Sequence, residues 1–210
     1  MSAYHHGNLR AALVASGVEL ARTEGADGLV LREVARRTGV SHNAAYRHFA
    51  DRAQLEAAVA LAALGELGRA MTEALADLPD GEPEEQARSR LRLLGAAYVH
   101  FALREPGLFR IGFSSTAHKE PMDTGDVPPG TDPYSLLGGA LDDLVATGAM
   151  PEENRPGAET ACWSAVHGFA ELHLDGPLAH DPPAQREADL DLLLRAVERA
   201  LTSTPTEVGA

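Results

Sequence analysis

LREVARRTGVSHNAAYRHFADRAQL, residues 31–55, decides how the chain is read. Leu31, Val34 and Ala35 recur at the spacing of one helix face, which predicts a short helix over residues 31–38. Gly39 supplies a corner, because glycine enters left-handed backbone without a Cβ penalty. Ser41 is a suitable N-cap for a further helix running through Phe49. Ala45 and Phe49 lie one turn apart on it and form the inward set with Val34 and Val40. That orientation sends His42, Asn43, Ala44, Tyr46 and Arg47 outward. A helix, a glycine-containing turn and a second helix is the helix-turn-helix plan, whose second helix enters the DNA major groove.

The outward residues suit that task chemically. Asparagine forms a two-pronged bond to adenine, histidine donates or accepts at a purine, and alanine meets a thymine methyl. Tyr46, His48 and Arg52 are placed to hold phosphates, which fixes register without reading sequence. A solvated surface helix of a bundle has the same residue types, and spacing alone leaves that alternative open.

The chain has 210 residues, 44% hydrophobic and 23% charged, which suits one large domain or a small module on a larger one. Alanine and leucine dominate and no segment alternates for long with period two, so an all-α fold is expected. The absence of a long apolar run predicts no membrane span, and the N-terminus lacks the regions of a signal peptide. The single cysteine, Cys162, cannot form an internal disulfide, and a cytoplasmic setting is the simple expectation. The formal charge of −13 is unevenly placed. Residues 1–55 hold seven arginines against five acids, whereas the remainder holds eleven basic and 26 acidic residues. Such asymmetry points the N-terminal quarter towards an anionic partner.

Helical periodicity and capping residues predict about nine helices. The first follows Asn8 and carries Leu9, Leu13, Gly17 and Leu20. After the two helices above, Asp51 caps a long helix to about Leu78, with glycines 65 and 68 read as tolerated interruptions. Helices are expected over roughly 84–104, from Pro106, over 134–148, 158–174 and 184–201. Residues 114–132 read as a long loop rich in proline, glycine and acids.

These residues carry a family resemblance. Residues 8–55 closely resemble the TetR family of bacterial transcriptional regulators, with Ala35, Gly39, Val40, Tyr46, His48, Phe49 and Leu55 in register. The start YHHGNLR and the later CWSAVHGF resemble the subgroup with a Trp-x-x-x-His-Gly motif in its C-terminal domain. Two positions depart from the pattern: Leu31 stands where many members have threonine or serine, and Arg52 replaces a common lysine. The resemblance implies that Arg32 contacts a base or phosphate and that Ser41, His42, Asn43 and Ala44 form the reading tip. It also implies that Tyr46, His48 and Arg52 clamp the backbone. Arg36 and Arg37 are ambiguous between DNA and surface ion pairs, and Arg10, His5 and His6 between phosphate and a solvated arm.

The division implied is a helix-turn-helix DNA-binding domain over residues 1–50, a helical ligand-binding and dimerisation domain over 51–204, and a flexible tail over 205–210. TetR-like proteins dimerise through their last two long helices, so a homodimer is expected through 158–174 and 184–201. Leu190, Leu194, Val197 and Leu201 form an apolar stripe there, although a terminal helix packed on its own core has the same stripe. Tyr98, Phe101, Phe109, Phe113, Met122 and Trp163 are the aromatic and soft side chains from which a bundle pocket is built. Trp163 and His167, four apart, share one helix face and either line that pocket or pack the core, and Gly168 allows a close helix approach. No metal site, catalytic group or cofactor is expected, since metal-ligand spacings and phosphate loops are missing.

The expected function is therefore a sequence-specific transcriptional regulator acting on double-stranded operator DNA. It is read as a repressor released by an unidentified small-molecule effector bound in the C-terminal domain. A ligand-independent regulator, an activator or partner-controlled, is the first alternative. A helical enzyme or carrier with a coincidental reading face is the second.

Overall fold

A computed structural model describes residues 9–114 and 130–204. Asn8, His5, His6, Met122, most of the predicted loop and the tail therefore lie outside the described residues. Among those described, secondary structure is helical throughout: nine α-helices and three single-turn 3-10 segments. In order, the helices are α1 (Leu9–Glu24), α2 (Leu31–Thr38), α3 (His42–Tyr46), α4 (Arg52–Ala74), α5 (Pro83–Arg104), α6 (Pro106–Gly112), α7 (Pro133–Ala146), α8 (Ala158–Leu174) and α9 (Pro183–Thr202).

The chain divides into two compact units, with described residues 9–66 and 104–114 in the first and 67–103 and 130–204 in the second. The first holds α1 to α3, most of α4, and α6. Its core consists of Leu13, Leu20, Leu29, Leu31, Val34, Ala45, Phe49, Leu55, Val59, Leu108, Phe109 and Ile111, all nearly inaccessible to solvent. Each of the large side chains among these contributes about 2 kcal/mol by leaving water. Helix α6 meets α1 at Gly107, where a Cβ would stand 2.0 Å from the Ala21 carbonyl oxygen. Only glycine permits that approach. Arg22 joins three elements of the unit, with Nε donating to Glu105 at 2.8 Å and Nη2 to Glu66 at 2.7 Å, and a further bond to Glu19.

The second unit contains α5, α7, α8, α9 and the end of α4. Asp132 caps α7 by accepting from the Ser135 N–H at 2.9 Å, and Pro133 occupies the first helical position, where a missing N–H costs nothing. This Asp-Pro signal starts α7 one residue before the predicted Tyr134. Helix α4 stops at Ala74 and tightens into a 3-10 turn over Leu75–Asp77, short of the predicted Leu78. Gly65 is indeed tolerated, since a Cβ there would meet nothing within 4 Å. Gly68 is different: a Cβ would lie 2.2 Å from the Thr131 carbonyl oxygen, so the absence of a side chain is required.

The stripe on α9 packs in part on its own protomer. Leu190 and Leu201 are buried, and a Cβ at Gly95 on α5 would lie 2.6 Å from Leu194 Cδ2. Leu194 and Val197 are half-buried, so the protomer covers this stripe in part. The large hydrophobic residue that α9 exposes is Leu192, at 60%.

Candidate nucleic-acid interface

Helix α2 begins after Val30, which makes no side-chain capping bond, and ends in Gly39 at φ 73°. The Val40 N–H returns to the Ala35 carbonyl at 3.0 Å and the Gly39 N–H to the Arg36 carbonyl at 3.2 Å. This paired closure is the Schellman arrangement, which requires left-handed backbone at position 39. It turns the chain so that Ser41 starts α3, its Oγ accepting from the Ala44 N–H at 3.2 Å. The Ser41 hydroxyl proton stays available to an outside acceptor.

Helix α3 ends at Tyr46, three residues before the predicted Phe49. The N–H groups of His48 and Phe49 both converge on the Ala45 carbonyl, at 2.9 and 3.1 Å. The Ala50 N–H is then taken by Gln54 Oε1 at 3.0 Å, while the Gln54 N–H bonds Asp51 Oδ1 at 2.9 Å. That reciprocal exchange withdraws Ala50 from the α3 ladder and caps α4, as the placement of Asp51 predicts.

Around the tight corner, Ala45 is fully buried and Phe49 nearly so, whereas His42, Asn43, Tyr46, Arg47 and His48 are exposed and Ala44 is half-buried. The His42 and Tyr46 rings meet one turn apart, tilted by 54° with centroids 4.4 Å apart. Arg32 is exposed on α2, and Arg52 is exposed at the first position of α4. Every residue predicted for the reading tip and the phosphate clamp thus lies in one compact unit.

The charges sort into two groups. Arg36 chelates Glu33 with bonds of 2.7 and 2.6 Å, and Arg37 bonds Glu33 at 2.9 Å and also pairs with Glu24. Hydrogen bonds from Arg36 and then Arg37 hold the Glu33 carboxyl at about 2, well below its usual range. Both ambiguous arginines are surface ion-pair partners. Among the described residues neither Arg32 nor Arg47 makes an ion pair, so their charge is open to an anionic partner. Arg10 lies with its guanidinium 5.3 Å from the centre of the Phe49 ring. Sequence reasoning missed Glu56, which is buried on α4 beneath Arg52. Its spacing with Val59, Ala60 and Ala63 was the available signal.

The residues predicted to line a pocket fall into two groups. Tyr98, buried, shares a hydrogen bond of 2.9 Å with His167 Nδ1, and its hydroxyl accepts from Trp163 Nε1 at 3.1 Å. Burial, foremost, holds that hydroxyl above the ordinary range, so it stays neutral. Phe101 is buried in the same unit. Phe109 and Phe113 belong to the first unit, where their rings pack 5.1 Å apart. A cavity of about 290 Å³ in the second unit is lined by Arg92, Leu93, Ala96, His100, Leu190 and Leu194, among others, and by none of the six predicted residues. Gly168 has nothing within 4 Å of a Cβ, so no close approach among the described residues uses it.

Nucleophilic chemistry has no support in the helical body. Burial pushes the Cys162 thiol up to about 11, away from the reactive thiolate. His173 is buried and bonds the Phe169 carbonyl at 2.9 Å. Among the described residues no group of three or more histidine, cysteine or acidic side chains is arranged to hold a metal, and no helix is long and apolar enough to cross a membrane.

Comparison with known proteins accords with this geometry. Residues 13–59 match the family model of bacterial regulatory proteins of the tetR family, and residues 91–197 match that of the tetracyclin repressor-like C-terminal domain. A protein of unknown function from Rhodococcus sp. RHA1 is similar over 97% of this chain and 100% of its own, with 28% identity and a TM-score of 0.76. A tetR-family regulator from Shewanella sp. PV-4 shares the fold at TM-score 0.60 and 18% identity, over 89% of this chain and 96% of its own. A TetR variant from Acinetobacter baumannii AYE in complex with minocycline shares it at TM-score 0.60 and 24% identity, over 95% and 98%. A search of curated proteins finds no match. Members of the family are non-enzymatic and act on DNA as dimers. The chain belongs to the TetR family of DNA-binding transcriptional regulators.

Proposed function

We propose that this regulator reads its operator through Asn43, His42 and Ala44, with Ser41, Tyr46, Arg47, His48, Arg32 and Arg52 binding the backbone or neighbouring base edges. The observation carrying this reading is the Gly39 corner, which leaves His42, Asn43, Tyr46, Arg47 and His48 exposed while Ala45 and Phe49 fill the core. Residues 1–50 act as the reading head and 51–204 as the body, in a homodimer working in the cytoplasm, since two heads are needed to span two half-sites. The Trp163-x-x-x-His167-Gly168 run supports reading the body as one of the subgroup with that motif.

The protein acts as a repressor released by a small-molecule effector held in the helical body. The minocycline complex of a protein with the same fold favours this reading over ligand-independent regulation. Tyr98, Phe101, Trp163 and His167 are its proposed contacts. An effector that takes over the bond of Trp163 or His167 to the Tyr98 hydroxyl competes with that side chain for it. Helix α4 contributes residues to both units and is the mechanical link. The effector must favour the non-DNA conformation by about 1–3 kcal/mol for release to follow.

Selection of duplexes from a random pool by the purified protein tests the core of this reading. A two-fold-related motif is expected. Asn43→Ala should relax preference at one or two base pairs of each half-site, by about 1–3 kcal/mol per position. Uniform loss across all duplexes would remove Asn43 from base reading.

A further inference from the structure

Helices α5 and α9 are joined at two places, His100 to Glu187 at 3.1 Å and Arg92 to Glu198 at 2.6 Å, so the two helices run antiparallel. Along the stretch that these pairs bound lies the cavity of about 290 Å³. Leu93 and Ala96 of α5 and Leu190 and Leu194 of α9 form its floor. Leu190 is buried and the other three are half-buried, so apolar surface remains accessible there. Asp77, the last residue of the 3-10 turn after α4, and Pro79 complete the wall. All of these residues belong to the second unit.

The rim is acidic. Asp77, Glu187 and Asp191 line it, against one permanent cation, Arg92. That cation is already engaged: Nη1 bonds Glu198, and Nη2 bonds Glu85 at 2.7 Å and Ser89 Oγ at 2.9 Å. Asp191 is bonded by Arg195 at 3.0 Å, and Glu187 has His100, a cation only when protonated. Among the described residues Asp77 makes no ion pair. The field of such a rim opposes an anion and draws in a cation. No aromatic ring lines the cavity, so a quaternary ammonium finds no π-face. A primary ammonium carries N–H donors that a carboxylate accepts in charge-assisted bonds, and an apolar body suits the leucine floor.

We propose that this groove binds a small protonated primary amine with an apolar body, its ammonium held by the Asp77 carboxylate and its body laid on Leu93, Ala96, Leu190 and Leu194. The site shares no residue with the effector contacts Tyr98, Phe101, Trp163 and His167 and does not depend on them.

The test is isothermal titration calorimetry on the full-length protein at low ionic strength, with 2-phenylethylamine, its uncharged analogue 2-phenylethanol and the anion phenylacetate as probes. The amine should bind saturably, once per protomer, about tenfold more tightly than the alcohol, and phenylacetate should not bind. Asp77→Asn, a change at an exposed position, should weaken the amine about threefold and leave the alcohol unaffected. Ala96→Phe fills the floor and should abolish binding of both, while Tyr98→Phe should alter neither. The proposal is overturned if the amine does not bind, if the alcohol binds as tightly, or if Asp77→Asn leaves the amine's affinity unchanged. Binding that survives Ala96→Phe and is lost in Tyr98→Phe would also overturn it, by moving the amine to the proposed effector contacts, whose reading would stand. Circular dichroism checks folding, and should Ala96→Phe unfold, Asp77→Asn and Tyr98→Phe decide by the same criteria.

Discussion

Glu33 shows how one acid sets the chemistry of a reading surface. It binds Arg36 and Arg37 together, which removes two of the head's positive charges from contention and leaves Arg32 and Arg47. The carboxyl titrates near 2 instead of near 4.5 because its ionised form receives these bonds. A group with a depressed folded-state value stabilises the native state above its unfolded value. The contribution therefore fades as pH falls from about 4.5 through about 2. Carboxyl carbon NMR should place the midpoint near 2 in the wild type. Arg36→Ala should raise it more than Arg37→Ala, in the order of their bonds to Glu33. Addition of operator duplex should leave the midpoint in place. An upward shift on binding would show that phosphate takes Arg36 from Glu33, and Arg36 would then join Arg32 and Arg47 among the arginines proposed to contact DNA.

At the scale of elements, α4 carries two glycines that the sequence presents as equivalent and the packing separates. Gly65 faces open space, so Gly65→Ala should stabilise the protein by about 0.5–1 kcal/mol through helix propensity and reduced chain entropy. Gly68→Ala sets a methyl against the Thr131 carbonyl and should destabilise by about 1–3 kcal/mol. Urea melts of the two variants should move in opposite directions; a shared direction would show that the backbone at Thr131 yields. The contrast also explains what sequence can and cannot disclose. The Gly39 corner, the Ser41 and Asp51 caps and the inward Ala45 and Phe49 are local, and each was legible from residue type and spacing. Close approaches such as Gly68 to Thr131 or Gly107 to Ala21 depend on elements far apart in the chain. The same holds for the α9 stripe, whose hydrophobic period reports burial without saying which surface covers it. Glu56 escaped notice because an acid on a helix is ordinarily a solvated side chain.

For the whole molecule, the partner that matters besides DNA is a second copy of the chain, and α8 and α9 present the residues that suit one. On α8, Ala161 and Ser164 are exposed, Leu172 is 44% exposed, and Gly168 has open space where a Cβ would stand. On α9, Leu192 is 60% exposed and Ala196 is exposed. A glycine within a helix costs about 1 kcal/mol relative to alanine, and among the described residues no neighbour accounts for Gly168. A closely approaching helix of a partner copy would account for it. Gly168→Leu should therefore leave the protomer's packing intact while separating the copies, seen in sedimentation velocity as a shift from dimer to monomer. Operator affinity should fall with it, because a lone head holds only one half-site. Leu192→Glu should act in the same sense by placing a charge in the joint. A dimer that survives both substitutions would place the partner on another face of the body and release Gly168 from this role.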